Sequence, residues 1–253
     1  MTMCASMSDI ISVAHRGGSA DEDTPEDTHI VAGPVRDFRS KYLCRLTNAK
    51  VWVPEPERPP KHQTVIIFDW DDTLLCTSWL SSVGNSRRDS SVAAQLRAIE
   101  RLAMKMLTAA MDMGTTLIIT NANAGWVEQS AERWAPQLLP LLRKLEIISA
   151  RDSYQRAFPC EADRWKVEAF LEVQRRLPEV QVTNLVALGD SEFEMAAARR
   201  MREQFEHALL KTVKFQANPS PRVMLKQMEL VSHNLGKIVN TAKNMRVLVD
   251  KKA

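Results

Sequence analysis

From residue 64 onward, short unbroken apolar runs alternate with longer mixed stretches. The runs TVIIF (64–68), TTLIIT (115–120), LEIIS (145–149), NLVAL (184–188) and KTVKF (211–215) have the length and composition of buried strands. Helical stretches lie between them, at about 91–113, 124–143, 162–176 and 191–205. Strands alternating with helices specify βαβ units, in which a parallel sheet is covered by helices on both faces. The expectation is a doubly wound, Rossmann-like three-layer α/β sandwich with a mostly parallel five-stranded sheet. Ligands of such sheets collect beyond the carboxyl ends of the strands, where the strand order reverses.

The first sixty residues have a different pattern. They hold the acidic cluster DEDTPED (21–27) and the proline-rich PEPERPP (54–60), which favours extended chain over helix. Residues 1–60 therefore read as an N-terminal extension, disordered up to about Thr28, with HIVAG (29–33) and AKVWVP (49–54) able to dock on the core. Residues 61–253 read as one domain. Beyond the last run, Met224, Met228, Val231, Leu235, Ile238, Ala242 and Met245 are spaced alternately by four and three, an apolar seam of a helix. Packing on the chain's own sheet and a coiled coil joining two copies both satisfy that seam.

Composition narrows the class. A chain of 253 residues with 45% hydrophobic and 26% charged residues can bury one substantial core. The net charge of +3 is small and its basic residues are spread out, so nucleic-acid binding is not indicated. The apolar runs are too short to span a bilayer. Cys4, Cys44, Cys76 and Cys160 show no CxxC pairing, and the first residues lack a basic start followed by a sustained apolar stretch. A cytoplasmic protein is expected, and the same features suit a nuclear one.

Candidate chemistry lies at the strand ends. The first run leads into Asp69, Asp71 and Asp72, three carboxylates within four positions. Carboxylates crowded at the end of a buried strand repel one another and lose hydration, and a bound cation would offset both costs. By the two-residue period of extended chain, Asp69 and Asp71 share a side and Asp72 faces away. The second run ends in Thr120 and Asn121, and the fourth is followed by Gly189, Asp190, Ser191 and Glu194. Two carboxylates from one strand and a third from another make an oxygen-rich site suited to Mg²⁺. A calcium loop of the EF-hand kind is excluded, because Leu74 and Leu80 stand at its glycine and glutamate positions.

The stretch FDWDDTLL resembles the first motif, DxDx[TV], of the haloacid dehalogenase superfamily. LIITN is similar to the second motif of that family, GDSEFE to the fourth, and Lys166 in DRWK stands where the third places its basic residue. The resemblance covers residues 64 to about 215, with the motifs in order. It implies that Asp69 is the nucleophile of an aspartyl-phosphate and Asp71 the general acid and base. It further implies that Thr120, the Asn121 backbone N–H and Lys166 hold the phosphoryl oxygens. Mg²⁺ would then be bound by Asp69, Asp71 through its carbonyl, and Asp190, with Glu194 in the outer shell. Asp72 stands where many members carry glycine.

Members acting on small metabolites usually insert a cap domain after the first motif or between the second and third. The roughly 46 residues between Thr73 and Thr120 are consumed by a turn, a hairpin-sized loop (81–90), one helix and one strand, so no cap fits. In that family an open site goes with a macromolecular substrate, a phosphorylated protein among them, with a cofactor-sized one, or with a cover from another chain; Arg87 and Arg88 either flank its entrance or form a solvated surface pair. Trp126 follows Thr120 closely enough to line it. Two other readings stand beside the phosphatase: a non-catalytic binding or scaffold protein that keeps the fold, and phosphoryl transfer to an acceptor other than water.

Overall fold

The computed structural model describes residues 11–12, 27–32, 61–83, 90–177 and 182–249. The expectations for the rest of the first sixty residues, including disorder before Thr28 and docking of AKVWVP, lie outside the described residues, as do Arg87 and Arg88.

The strands are β1 (Ile11–Ser12), β2 (Asp27–Ala32), β3 (Thr64–Phe68), β4 (Thr115–Thr120), β5 (Glu146–Ser149), β6 (Asn184–Gly189), β7 (Leu209–Lys214) and β8 (Met245–Val249). They form one sheet in the order β1-β2-β8-β7-β6-β3-β4-β5. Every pairing is parallel except β1 with β2. The fold is thus α/β with a parallel sheet, but five strands is an undercount. The body alone contributes six, and β2 and β1 extend its β8 edge.

The missed strand is β8. Met245 is not the end of a helical seam but the start of MRVLV, whose alternate residues are buried, the period-two signature of a strand. Among the described residues eight helices connect the strands: α1 (Thr77–Val83), α2 (Ser90–Met113), α3 (Trp126–Trp134), α4 (Leu139–Leu142), α5 (Ala150–Tyr154), α6 (Ala162–Arg176), α7 (Glu192–Arg202) and α8 (Pro221–Asn240). The single helix expected over 124–143 is broken at Ala135, because Pro136 cannot donate its backbone bond and starts a short 3-10 turn instead.

The pleat of β3 divides the core. Ile66 and Phe68 pack with α2 and α8 on one face, while Val65 and Ile67 pack with α6 and α7 on the other. The C-terminal seam is used internally. Met224, Met228, Val231, Leu235 and Ile238 are all buried in the first of these cores, so the chain's own fold rather than a second copy covers them. No cap domain interrupts the described residues. From β3 the chain proceeds outward through β4 to β5, then crosses back to place β6 on the other side of β3. The strand order reverses at the carboxyl end of β3, where Asp69 and Asp71 stand.

Candidate active site

A cavity of about 830 Å³ opens at that reversal. Its walls include Asp69, Asp71, Asn121, Lys166, Asp190 and Glu194, six of the seven residues singled out in the sequence. The seventh, Thr120, is buried behind the wall, and its hydroxyl donates to Asp71 Oδ2 at 3.1 Å.

β3 ends with the Asp69 N–H donating to the Leu188 carbonyl of β6 at 2.8 Å, which fixes Asp69 in register. The chain then turns sharply. The N–H groups of Thr73, Leu74 and Leu75 all point at the Trp70 carbonyl, and the buried Trp70 indole donates to Ser130 Oγ of α3 at 2.9 Å. Asp72 makes this turn with φ of 54°, the left-handed region that suits glycine. Its side chain compensates: Oδ1 accepts from the Ser78 N–H of α1 at 3.1 Å and Oδ2 from the Asn218 N–H at 3.2 Å. Asp72 therefore faces away from the cavity wall and ties the turn to the first turn of α1 and to the loop before α8.

Asp71 is held by three donors from three elements. Thr77 Oγ1 and Trp126 Nε1 donate to Oδ1 at 2.7 and 2.8 Å, and Thr120 takes Oδ2. Thr77 carried no signal in the sequence, since its role depends on the tight turn that brings α1 back over Asp71. The Asn121 side chain donates to the Ala162 carbonyl at 2.9 Å, joining the loop after β4 to α6.

α6 delivers Lys166. Its ammonium is almost wholly buried and reaches Asp69 Oδ1 at 2.5 Å, the Ile119 carbonyl at 2.5 Å and Glu194 Oε1 at 3.0 Å. Two other cations offered by the sequence for the place of Lys166 lie elsewhere: Arg164 is half exposed, pairs with Glu161 and stacks on Phe158, and Lys144 is exposed. The second Glu194 oxygen accepts from the Ser191 N–H at 3.1 Å and from the Ser191 hydroxyl, completing the reciprocal cap of α7. Both Glu194 oxygens are thus engaged by protein groups. Gly189 makes room for them, because a Cβ there would lie 2.5 Å from Glu194 Cγ.

The electrostatics follow from one ammonium among four carboxylates, Asp69, Asp71, Asp190 and Glu194. Burial pulls the Lys166 pKa down, but Asp69 and Glu194 outweigh it and keep the ammonium charged. Burial raises Glu194, and Lys166 and Ser191 outweigh it, so this carboxyl ends below its ordinary value. Asp69 moves well above the usual carboxylate range, chiefly through burial, with Lys166 opposing and Glu194 and Asp71 adding to the rise. Asp190 is pushed up to about 7 by burial and by the nearby charges of Glu194 and Asp72. Asp69 and Asp190 are therefore the two carboxyls that burial shifts upward, Asp69 despite its pairing with Lys166.

Among the described residues no three carboxylate, imidazole or thiol groups converge to enclose a cation by themselves. Mg²⁺ does not need that many, since it keeps several waters and is commonly held by one or two carboxylates plus a substrate phosphate. Asp69 and Asp190 fit that donor set.

No family model, no curated protein and no solved structure matches this chain. The fold and cavity define an α/β protein with a parallel sheet and an acidic site at its switch point. Among the described residues no helix is long and apolar enough to cross a membrane.

Proposed function

We propose that the protein is a Mg²⁺-dependent phosphatase of the haloacid dehalogenase type, without a cap, acting on a phosphate monoester through an aspartyl-phosphate on Asp69. The observation that carries this reading is the Lys166 bridge. Lys166 occupies Asp69 Oδ1, which leaves Oδ2 as the free oxygen of a carboxylate fixed at the cavity wall.

In this reading the Asp69 Oδ2 lone pair attacks phosphorus while the bond from phosphorus to the leaving oxygen breaks. Asp71 gives that oxygen its proton. A water then attacks phosphorus, transfers a proton to Asp71 and releases Asp69 with inorganic phosphate. The Trp126 N–H can only donate, so it keeps Asp71 Oδ1 an acceptor. The Asn121 N–H orients a phosphoryl oxygen, while Lys166, whose donors already serve Asp69, Glu194 and the Ile119 carbonyl, fixes Asp69 and supplies positive charge beside it. Asp69 and Asp190 would hold Mg²⁺, which when bound would supply the positive charge that offsets the four carboxylates facing a phosphate dianion. Glu194 serves here as the counter-charge that positions Lys166. The open cavity suits a macromolecular substrate such as a phosphorylated protein.

The test is Mg²⁺-dependent release of phosphate from acetyl phosphate and from p-nitrophenyl phosphate, with Asp69→Asn as control. Turnover in the parent and its loss in the variant is the expected result. Equal activity in both proteins refutes the assignment of Asp69.

A further inference from the structure

Resting on that reading, we infer that the substrate carries an aromatic ring next to its phosphate, as an aryl phosphate monoester does, and that Trp126 and Phe193 receive the ring. Phe193 is 42% exposed, the one large hydrophobic so exposed among the described residues, and it lies on the wall of the cavity. A lone exposed phenylalanine is ordinary elsewhere on a surface. This one faces a site with a second aromatic in it.

Trp126 follows β4 and Phe193 follows β6, the two strands that flank β3, so the two residues stand on either side of Asp69 and Asp71 in the strand order, and both line the cavity. Trp126 is rigid. Its N–H is fixed on Asp71 at 2.8 Å and its ring meets Trp134 edge to face, with centroids 6.3 Å apart. That places an immobile aromatic surface within one hydrogen bond of the acid that protonates the leaving oxygen.

The rest of the outer wall argues against an anionic remainder. It presents the small hydroxyls of Ser78, Ser81 and Ser82, and its one cation among the described residues, Lys166, is buried and held by two carboxylates. Among the described residues of that wall, no free cation stands ready for a second phosphate. The cavity is also far larger than a phosphate alone, and falls in the range that encloses ligands of side-chain size or above. An uncharged ring satisfies both conditions, stacking on or meeting the two aromatic faces edge-on.

Calorimetric titration with phenylphosphonate and methylphosphonate in the presence of Mg²⁺ tests the ring site without turnover. The phenyl compound is expected to bind about tenfold more tightly, and Phe193→Ala is expected to bring that ratio to about threefold or less while leaving methylphosphonate binding unchanged. Equal binding of the two compounds, binding of neither, or equal loss of both in Phe193→Ala overturns the inference. Acetyl phosphate, which has no ring, separates it from the phosphatase reading. Turnover of acetyl phosphate without a phenyl preference removes only the ring site. A phenyl preference without turnover removes only the chemistry.

Discussion

Replacing Lys166 by methionine removes the single cation from a buried cluster while keeping the length and apolar character of the stem. In the parent protein the ammonium lies 2.5 Å from Asp69 and 3.0 Å from Glu194, with all three side chains at 6% exposure or less. Removing one partner of such a buried pair costs about 3–5 kcal/mol, because a charge is left unpaired in a poorly solvated place. Asp69 limits the cost, since its carboxyl already sits well above the ordinary range and can take up a proton. Glu194 does not share that escape at neutral pH, so a loss of about 3 kcal/mol is expected. For a chain of this length that corresponds to roughly 10 °C in Tm. The sign with pH is also fixed. Lys166 holds the folded Glu194 carboxyl below its ordinary 4.5, so this stabilisation is present above pH 4.5 and is lost as the pH falls further. The gap between parent and variant should therefore be full at pH 7 and shrink below about pH 4.5. Urea denaturation of Lys166→Met, Glu194→Gln and the double variant at pH 7 and pH 4 measures this. A single-variant loss under about 1 kcal/mol, or strictly additive losses in the double variant, refutes the proposed coupling.

Asp72→Ala should cost about 2 kcal/mol, because it removes acceptors for two backbone N–H groups and keeps the left-handed turn. Asp72→Gly should cost about 1 kcal/mol less, since glycine adopts that φ freely; chemical denaturation that finds glycine the worse of the two contradicts this account. Gly189→Ala should lower stability and slow turnover together, because its Cβ would push Glu194 off Lys166; unchanged kcat and Tm would show that the close approach is easily relieved. Without metal, the folded protein keeps a proton on Asp190 that the unfolded chain releases above pH 3.8, so stability should fall between about pH 4 and pH 7 and then level off. At pH 7.5 and above, Mg²⁺ should restore much of the loss, and its affinity should rise with pH up to about 7; Tm measured against pH with Mg²⁺ and with a chelator checks both.

The sheet and most of the site were legible because both depend on local pattern. A strand buried on both faces must be apolar throughout, so Val65 to Phe68 and Leu185 to Leu188 announce themselves, and the polar residues that follow them fall at the carboxyl edge. β8 was obscured because Met245 continues the four-three spacing of α8 by coincidence, while its strand character rests on only five residues. Lys166 could be placed near the site by its position before β6, but its two carboxylate partners are 97 and 28 residues away in sequence and meet only through the sheet order. The positions of Thr77 and Trp126 depend on where the turn at Asp72 sends the chain. No periodicity reports a turn whose conformation is held by contacts as distant as Asn218.

The proposed phosphatase stands or falls on phosphorylation of Asp69. Incubation of the Mg²⁺-loaded protein with acetyl phosphate, rapid acid quench and peptide mass spectrometry tests it most directly. A phosphoryl group on the peptide that spans VIIFDWDDTLL, labile to hydroxylamine and assigned to Asp69, is the expected result, with no label in Asp69→Asn. Label on another residue, or undiminished turnover in Asp69→Asn, contradicts the account.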